Sequence, residues 1–319
     1  MPAPSDAVRP RAVDDGFFAD VRGVDQWITL RGADSGNPAL LILPGPGGAF
    51  SRLALFFAPW ESDFTLVQWD QPGGGATFAR NGEMALSLDR LAADAADVAE
   101  TACRRLGRRN AAVLGISGGS IVGLMLAKAR PDIVAGYVGT GQIVHWARQA
   151  ALGYRMALAA ARARGDAPAA AELERLGPPP YPHLATETAA AAHLGAPTKP
   201  ERAAFAEIAA LGAPPAGARY VSPGLALPDP RERAAAAYAA LRAEIARFDA
   251  WALGPRFETP MLFLQGAEDF YTPTAEVAAL AAALSAPSVR LETIAGGGHS
   301  VVFLREAFLA GLKTIQTAV

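Results

Sequence analysis

Cysteine is almost absent from this chain of 319 residues. Cys103 stands alone, so no intramolecular disulfide and no cysteine-rich metal site can form. Only three lysines are present, Lys128, Lys199 and Lys313, and charge is balanced at 29 basic against 31 acidic residues. A formal net charge of −2 offers no basic stripe for a phosphate backbone, which argues against nucleic acid as a partner. Like-charged blocks of the kind that form disordered tails are missing as well. Although 51% of residues are hydrophobic, no stretch approaches the roughly 20 apolar residues of a membrane helix. The opening MPAPSDAVRPRAVDDG lacks the apolar run a secretory signal needs. The expectation is a cytoplasmic protein acting on small molecules, with oligomeric state unreadable. Its length is generous for one ordinary domain and short for two large ones.

What is present alternates. Short apolar runs bounded by Gly, Pro or Asp read as strands: Phe17–Val21 and Gln26–Leu30 as a hairpin linked through residues 22–25, then Ala39–Leu43, Phe64–Trp69, Ala111–Ile116, Ile133–Val138, Met261–Leu264 and Val289–Ile294. Apolar residues at nearly every position suit a mostly parallel sheet covered on both faces. Helical spacing runs from Ser87 to Leu106 with Gly107 as its stop, from just after Ser117 to about Arg130, and from about Ser300 to Thr317. Cys103 falls within the first of these and reads as packing. The fold class is therefore α/β, a doubly wound sheet. Between 142 and 252 alanine-rich helical patterns such as Val144–Gly165 and Arg231–Leu253, broken by Pro-rich joints, replace the strand grammar. This predicts a helical cap at 142–252, inserted after the sixth strand, between core segments 1–141 and 253–319.

Chemistry is concentrated in Gly115-Ile116-Ser117-Gly118-Gly119, between a strand and a helix. So sharp a turn strains its central residue and requires small neighbours, and it lifts a serine hydroxyl above the sheet edge. Of four histidines, His145, His183 and His193 lie in or beside the helical insertion. His299 follows the last strand in Ala295-Gly296-Gly297-Gly298-His299, and is the candidate base. The orienting carboxylate belongs to the preceding loop, Ala267-Glu268-Asp269-Phe270-Tyr271-Thr272-Pro273, where Asp269 is preferred over Glu268. Gly45-Pro46-Gly47-Gly48 follows the third strand, where backbone amides can meet a developing oxyanion. No Gly-Lys-Ser/Thr follows to make it a phosphate loop. Asp70, ahead of the tight turn Gly73-Gly74-Gly75, reads as structural.

With these residues in place the chain resembles the α/β-hydrolase superfamily, and within it the prolyl iminopeptidase-like serine hydrolases. The carrying segments are PGPGG at 44–48, WDQPGGGAT at 69–77, GISGGS at 115–120, LQGAEDFYTP at 264–273 and GGGHS at 296–300. The resemblance implies Ser117 as nucleophile, His299 as base, Asp269 as its partner, and the Gly45 and Gly118 amides as oxyanion hole. It implies no cofactor and no metal. The substrate would be a small ester, amide or short peptide, cleaved through an acyl-enzyme. Departures stand out: the usual His-Gly-Gly-Pro-Gly-Gly reads Leu43-Pro44-Gly45-Pro46-Gly47-Gly48, Asp-Gln-Arg-Gly becomes Asp70-Gln71-Pro72-Gly73, and the Trp often found after the nucleophile is Gly118. Aminopeptidase work needs carboxylates on the cap for the substrate ammonium. Residues 142–252 carry 12 Lys/Arg and 10 Asp/Glu, a net of +2, with Glu172, Glu174, Glu187, Glu201, Glu207 and Glu232 as the candidates. A C–C bond hydrolase or lyase using the same triad, and a non-catalytic binding relative, stay open; Ser117 disfavours the Asp-nucleophile relatives.

Overall fold

The computed structural model describes residues 11–215, 217–221 and 225–318. Eight strands form one sheet: β1 (Val13–Val21), β2 (Val24–Gly32), β3 (Ala39–Leu43), β4 (Thr65–Trp69), β5 (Ala111–Ile116), β6 (Val134–Thr140), β7 (Met261–Gly266) and β8 (Val289–Ile294). Their order is β1-β2-β4-β3-β5-β6-β7-β8. The pairs β1–β2 and β2–β4 are antiparallel, and every pair from β4 onward is parallel. The chain runs from β3 to β4 on one side and then to β5 on the other. That reversal makes the carboxyl ends of β3 and β5 the switch point at which ligands bind in open α/β sheets.

The hairpin turn is tighter than the sequence suggests. Pairing continues to Val21 and Val24, leaving only Arg22 and Gly23 in the turn, both at positive φ (53° and 79°). Such a two-residue primed turn matches strand twist, and an Arg22–Asp97 ion pair at 3.1 Å holds the non-glycine member.

Helices cover both faces. Short α1 (Ala54–Phe57) and α2 (Gly75–Asn81) follow β3 and β4, and α3 (Leu88–Leu106) precedes β5. Ser87 caps α3 by accepting from the Arg90 amide, and Gly107 ends it in the left-handed conformation at φ 66°. Cys103 is buried in its apolar face, where burial pushes the thiol pKa up. On the opposite face Trp60 is fully buried, stacked on Phe308 at 5.8 Å, with its Nε1 donating to the Arg305 carbonyl. Trp60→Ala should therefore destabilise the fold by about 3–5 kcal/mol. Urea denaturation checks this, and a loss below about 1 kcal/mol would mean the face repacks.

After β5 comes α4 (Gly118–Ala129). Between β6 and β7 lie five helices and, among the described residues, no named strand: α5 (Trp146–Ala163), α6 (Ala167–Leu176), α7 (Leu184–Leu194), α8 (Lys199–Ala210) and α9 (Pro230–Arg247). The segment closes on itself, because His145 bridges Asp249 and the Ala250 amide donates to the Val144 carbonyl at 2.8 Å. That closure draws the chain out of helix after Arg247, so the expected run to Leu253 ends in a separate 3-10 turn, Ala250–Leu253. Helix α10 (Thr274–Ala283) separates β7 from β8, and α11 (Arg305–Leu312) is the last α-helix. The single helix expected over 300–317 is divided into a 3-10 turn at Val301–Phe303, α11, and a 3-10 segment at Lys313–Ala318. Leu304 leaves helical geometry at ψ 62°, next to Arg305, which is tied to Phe56 and Trp60. Tertiary bonds here override continuous helical spacing.

Candidate active site

Ser117 sits between β5 and α4 at φ 53°, ψ −123°, a strained conformation for a residue with a side chain. Its amide donates to the Thr140 carbonyl of β6 at 2.9 Å. The Ser120 amide and hydroxyl both donate to the Ser117 carbonyl, at 2.8 and 2.5 Å. The neighbours must be small. A Cβ on Gly115 would lie 2.8 Å from Ser120 Cα, and one on Gly119 only 2.0 Å from the Leu43 carbonyl oxygen.

The loops after β7 and β8 complete the group. His299 Nε2 lies 2.9 Å from Ser117 Oγ, and its Nδ1 lies 3.1 Å from Asp269 Oδ2. A carboxylate only accepts, so Nδ1 carries the proton and leaves Nε2 to accept from the serine hydroxyl. Asp269 is buried; its Oδ1 accepts the Tyr271 and Thr272 amides at 2.8 Å each, and its Oδ2 accepts the Thr272 hydroxyl at 2.6 Å. Burial acts to raise its pKa, but the His299 ring and the Thr272 bonds outweigh that and hold it below the ordinary carboxylate value. Gly141, at φ 51°, clears space for the imidazole, since a Cβ there would lie 2.9 Å from His299 Cε1. A hydroxyl linked through an imidazole to a buried carboxylate can be deprotonated as it attacks an electrophilic carbon.

Gly45, after β3, faces this group. A Cβ added to it would meet only the Gly118 amide nitrogen, at 4.0 Å. The glycine is thus not required by packing; a side chain would instead fill the space above the Gly118 amide. Gly118 is the first residue of α4, where an amide has no intrahelical acceptor.

Glu268 is exposed, and only its backbone is engaged, donating to the Gly297 carbonyl at 2.8 Å. His145 immediately precedes α5, His183 precedes α7 and is exposed, and His193 lies within α7. Asp70 is buried in a structural knot: Oδ1 accepts Ser51 Oγ at 2.6 Å, Oδ2 accepts the Ala76 amide at 2.8 Å, and its carbonyl takes the Thr77 hydroxyl. Burial pushes this carboxyl up to about 6, against the Ser51 and Ala76 bonds that lower it. Stability from a raised carboxyl pKa is complete below the unfolded value and disappears as pH rises through the folded one. The fold should therefore lose up to about 3 kcal/mol between about pH 4 and 7 through this group. Asp70→Asn should flatten that slope in urea titrations; an unchanged slope would mean that Asp70 is ionised throughout.

Side chains of the helical insertion and of the Asp269 loop complete the surroundings. The Tyr271 ring packs edge-on against His299 at 4.6 Å and against Trp146 at 5.1 Å. Both aromatics line a mostly apolar cavity of about 310 Å³ with Ala150, Leu194, Ala243 and Ala246. On its wall Glu187 accepts from the Arg242 guanidinium and, at 2.6 Å, from the Tyr238 hydroxyl. Burial, with Tyr271 and Glu187 alongside, raises the Tyr238 pKa and keeps that hydroxyl a donor. The Asp269-x-x-Thr272 spacing, an Asx-type turn, is the local signal that could have marked Thr272.

Of the other acidic candidates of the insertion, all but Glu232 are engaged. Glu172 pairs with Arg175 at 2.6 Å, Glu174 with Arg162 at 2.8 Å and Glu207 with Arg305 at 2.9 Å. Glu201 accepts two backbone amides, and Glu232 is exposed in the first turn of α9.

Comparison with known proteins agrees with the architecture. The family model described as alpha/beta hydrolase fold matches residues 38–306. A probable aminopeptidase of Bacillus subtilis (strain 168) is 28% identical over 123 residues, a stretch that spans 38% of this chain and 39% of that relative. Among solved structures, a proline iminopeptidase-related protein from Thermus thermophilus superimposes with a TM-score of 0.65 at 21% identity, covering 96% of this chain and 98% of its own. An esterase from Rhodococcus sp. ECU1013 gives a TM-score of 0.59 at 18% identity, with 97% and 99% covered. No helix among the described residues is long and apolar enough to cross a membrane.

Proposed function

Because the chain belongs to the α/β hydrolase fold family, we propose that it is a serine hydrolase cleaving small carboxylic esters through an acyl-enzyme. The carrying observation is the unbroken chain from Ser117 through His299 to Asp269, at a strained strand-to-helix turn. In this reading His299 Nε2 takes the Ser117 proton as Oγ attacks the carbonyl carbon. The Gly45 and Gly118 amides receive the oxyanion, and the protonated imidazole passes its proton to the leaving alkoxide. Water then enters by the same route, activated by His299, and releases the acid. Asp269 fixes the imidazole tautomer and balances its positive charge. Residues 142–252 act as a cap over core segments 1–141 and 253–319.

The ester reading is favoured over N-terminal peptidase work by the state of the acidic side chains. Glu187, the carboxylate beside the cavity, is already neutralised by Arg242 and bonded by Tyr238. A substrate ammonium would have to displace a guanidinium, whereas an uncharged acyl group fits the apolar lining without cost to a buried charge. The similarity to aminopeptidase-named relatives keeps the peptidase as the competing outcome.

A fluorophosphonate probe, with Ser117→Ala as control, tests the class. Labelling that depends on Ser117 is the expected result, and its absence sinks the serine-hydrolase reading. Turnover of acyl esters against prolyl-arylamides then tests the substrate. Ester cleavage at least tenfold faster is expected, and a preference for the arylamide would restore the peptidase.

A further inference from the structure

The first turn of α8 reaches out of the helical insertion to the loop that carries His299. Thr198 caps α8 and forms a capping box with Glu201: Thr198 Oγ1 accepts the Glu201 amide, and Glu201 Oε2 accepts the Thr198 amide at 2.8 Å. A capping box needs one oxygen of its glutamate and usually lies at a solvated helix end. Here Glu201 is fully buried, and its other oxygen, Oε1, accepts the Gly298 amide at 2.8 Å across 97 residues of sequence. The Thr198 hydroxyl in turn donates to the Gly296 carbonyl at 2.7 Å.

Three consecutive glycines would otherwise make this the least constrained backbone in the site. Each is instead tied down by a different bond. Gly296 is held by Thr198, Gly297 by the Glu268 amide of the Asp269 loop, and Gly298 by Glu201. A Cβ on Gly298 would stand 2.9 Å from Glu201 Oε2 and 3.1 Å from Thr198 Cγ2, so a side chain there would press on both capping residues. Beyond the histidine, Phe205 of α8 packs on Phe303 at 5.3 Å and Glu207 pairs with Arg305. One helix of the insertion thus grips the chain on both sides of His299.

Resting on the serine-hydrolase reading, we propose that Thr198 and Glu201 are positioning residues for His299, aligning its imidazole with Ser117 only while α8 is seated on the core. Seating of the helical insertion and assembly of the base become one event. A displacement of about 1 Å at a reacting group can cost about 10²-fold in rate, so the bonds act on turnover more than on substrate capture.

The test compares three variants on a short-chain acyl ester. In Glu201→Gln, an NH₂ group faces one of the two amides that the carboxylate accepts. The expected result is a fall in kcat of roughly 10- to 100-fold with KM changed less than about threefold. Thr198→Val keeps the shape and loses the hydroxyl, so kcat should fall about tenfold, while Thr198→Ser should restore it to within about twofold. Circular dichroism and Tm identify any variant that does not fold; if Glu201→Gln is one, the Thr198 pair decides. Folded variants with kcat within twofold of wild type, or a Thr198→Ser as slow as Thr198→Val, would overturn the proposal. Hydrogen exchange over residues 296–300 needs no substrate: it should accelerate in Thr198→Val, and unchanged exchange would also overturn it. Missing Ser117-dependent labelling in the wild type is a separate failure, of the hydrolase reading, and leaves the exchange test able to decide the clamp.

Discussion

Asp269→Asn should lower kcat for ester cleavage by about 10⁴-fold while leaving the fold intact. The reason lies in which atoms can accept. The Tyr271 and Thr272 amides both donate to Oδ1, so an asparagine will keep its carbonyl oxygen there. Its NH₂ then occupies the place of Oδ2, opposite His299 Nδ1 and the Thr272 hydroxyl. The hydroxyl can rotate to accept, so no buried group is left unpaired and stability changes little. The imidazole has no such freedom. An NH₂ facing Nδ1 drives the ring proton to Nε2, which then donates toward Ser117 Oγ instead of accepting from it. The hydroxyl loses its base without any atom moving far. Steady-state turnover with a Tm measurement checks both halves; a loss under tenfold, or a collapse of the fold, would remove Asp269 from the role proposed.

The parts of this molecule that were legible in the sequence are those written locally. A strand such as Ala39–Leu43 is apolar throughout because it is covered on both faces, and its bounds in the structure are those the sequence suggests. Glycines beside Ser117 mark a turn with no room for side chains, and that constraint lies within five residues. The same holds for Asp269 and His299, each at the end of a strand that announces itself. What stayed hidden depends on contacts between distant segments. Glu201 looks like an ordinary capping-box residue until its second oxygen is found on Gly298. Glu187 counts as a free acid in a charge tally, yet Arg242, 55 residues away, takes it up. The broken C-terminal helix follows the same rule, because the spacing around Leu304 permits helix and the contacts of Arg305 with Phe56, Trp60 and Glu207 accompany the break. Local patterns place reactive groups; long-range pairing decides whether a charge is available to a substrate.

That distinction makes the two sides of the Gly45–Gly118 gap separable by mutation. Gly119→Ala places a methyl 2.0 Å from the Leu43 carbonyl oxygen and 2.4 Å from that of Pro44. Both are backbone atoms, so no side chain can turn aside, and either β3 or the start of α4 has to shift. Such a shift would separate Gly45 from Gly118, the proposed oxyanion donors, and loss of one such donor typically costs about 10²–10³-fold in kcat. Stability should fall with it, because β3 and β5 pair in the sheet directly beneath this contact. Gly45→Ala makes the contrasting case. Its methyl would meet nothing nearer than the Gly118 amide at 4.0 Å, so the fold tolerates it and Tm should stay within about two degrees of wild type. In the proposed mechanism the methyl would intrude between the two amides offered to the oxyanion, and kcat should drop by about 10²-fold. Fluorophosphonate labelling rates and Tm measured on both variants separate the two effects. A Gly45→Ala protein that labels at the wild-type rate would place the oxyanion elsewhere, while a Gly119→Ala protein with unchanged Tm and turnover would mean that the strand-to-helix turn yields more easily than its packing allows.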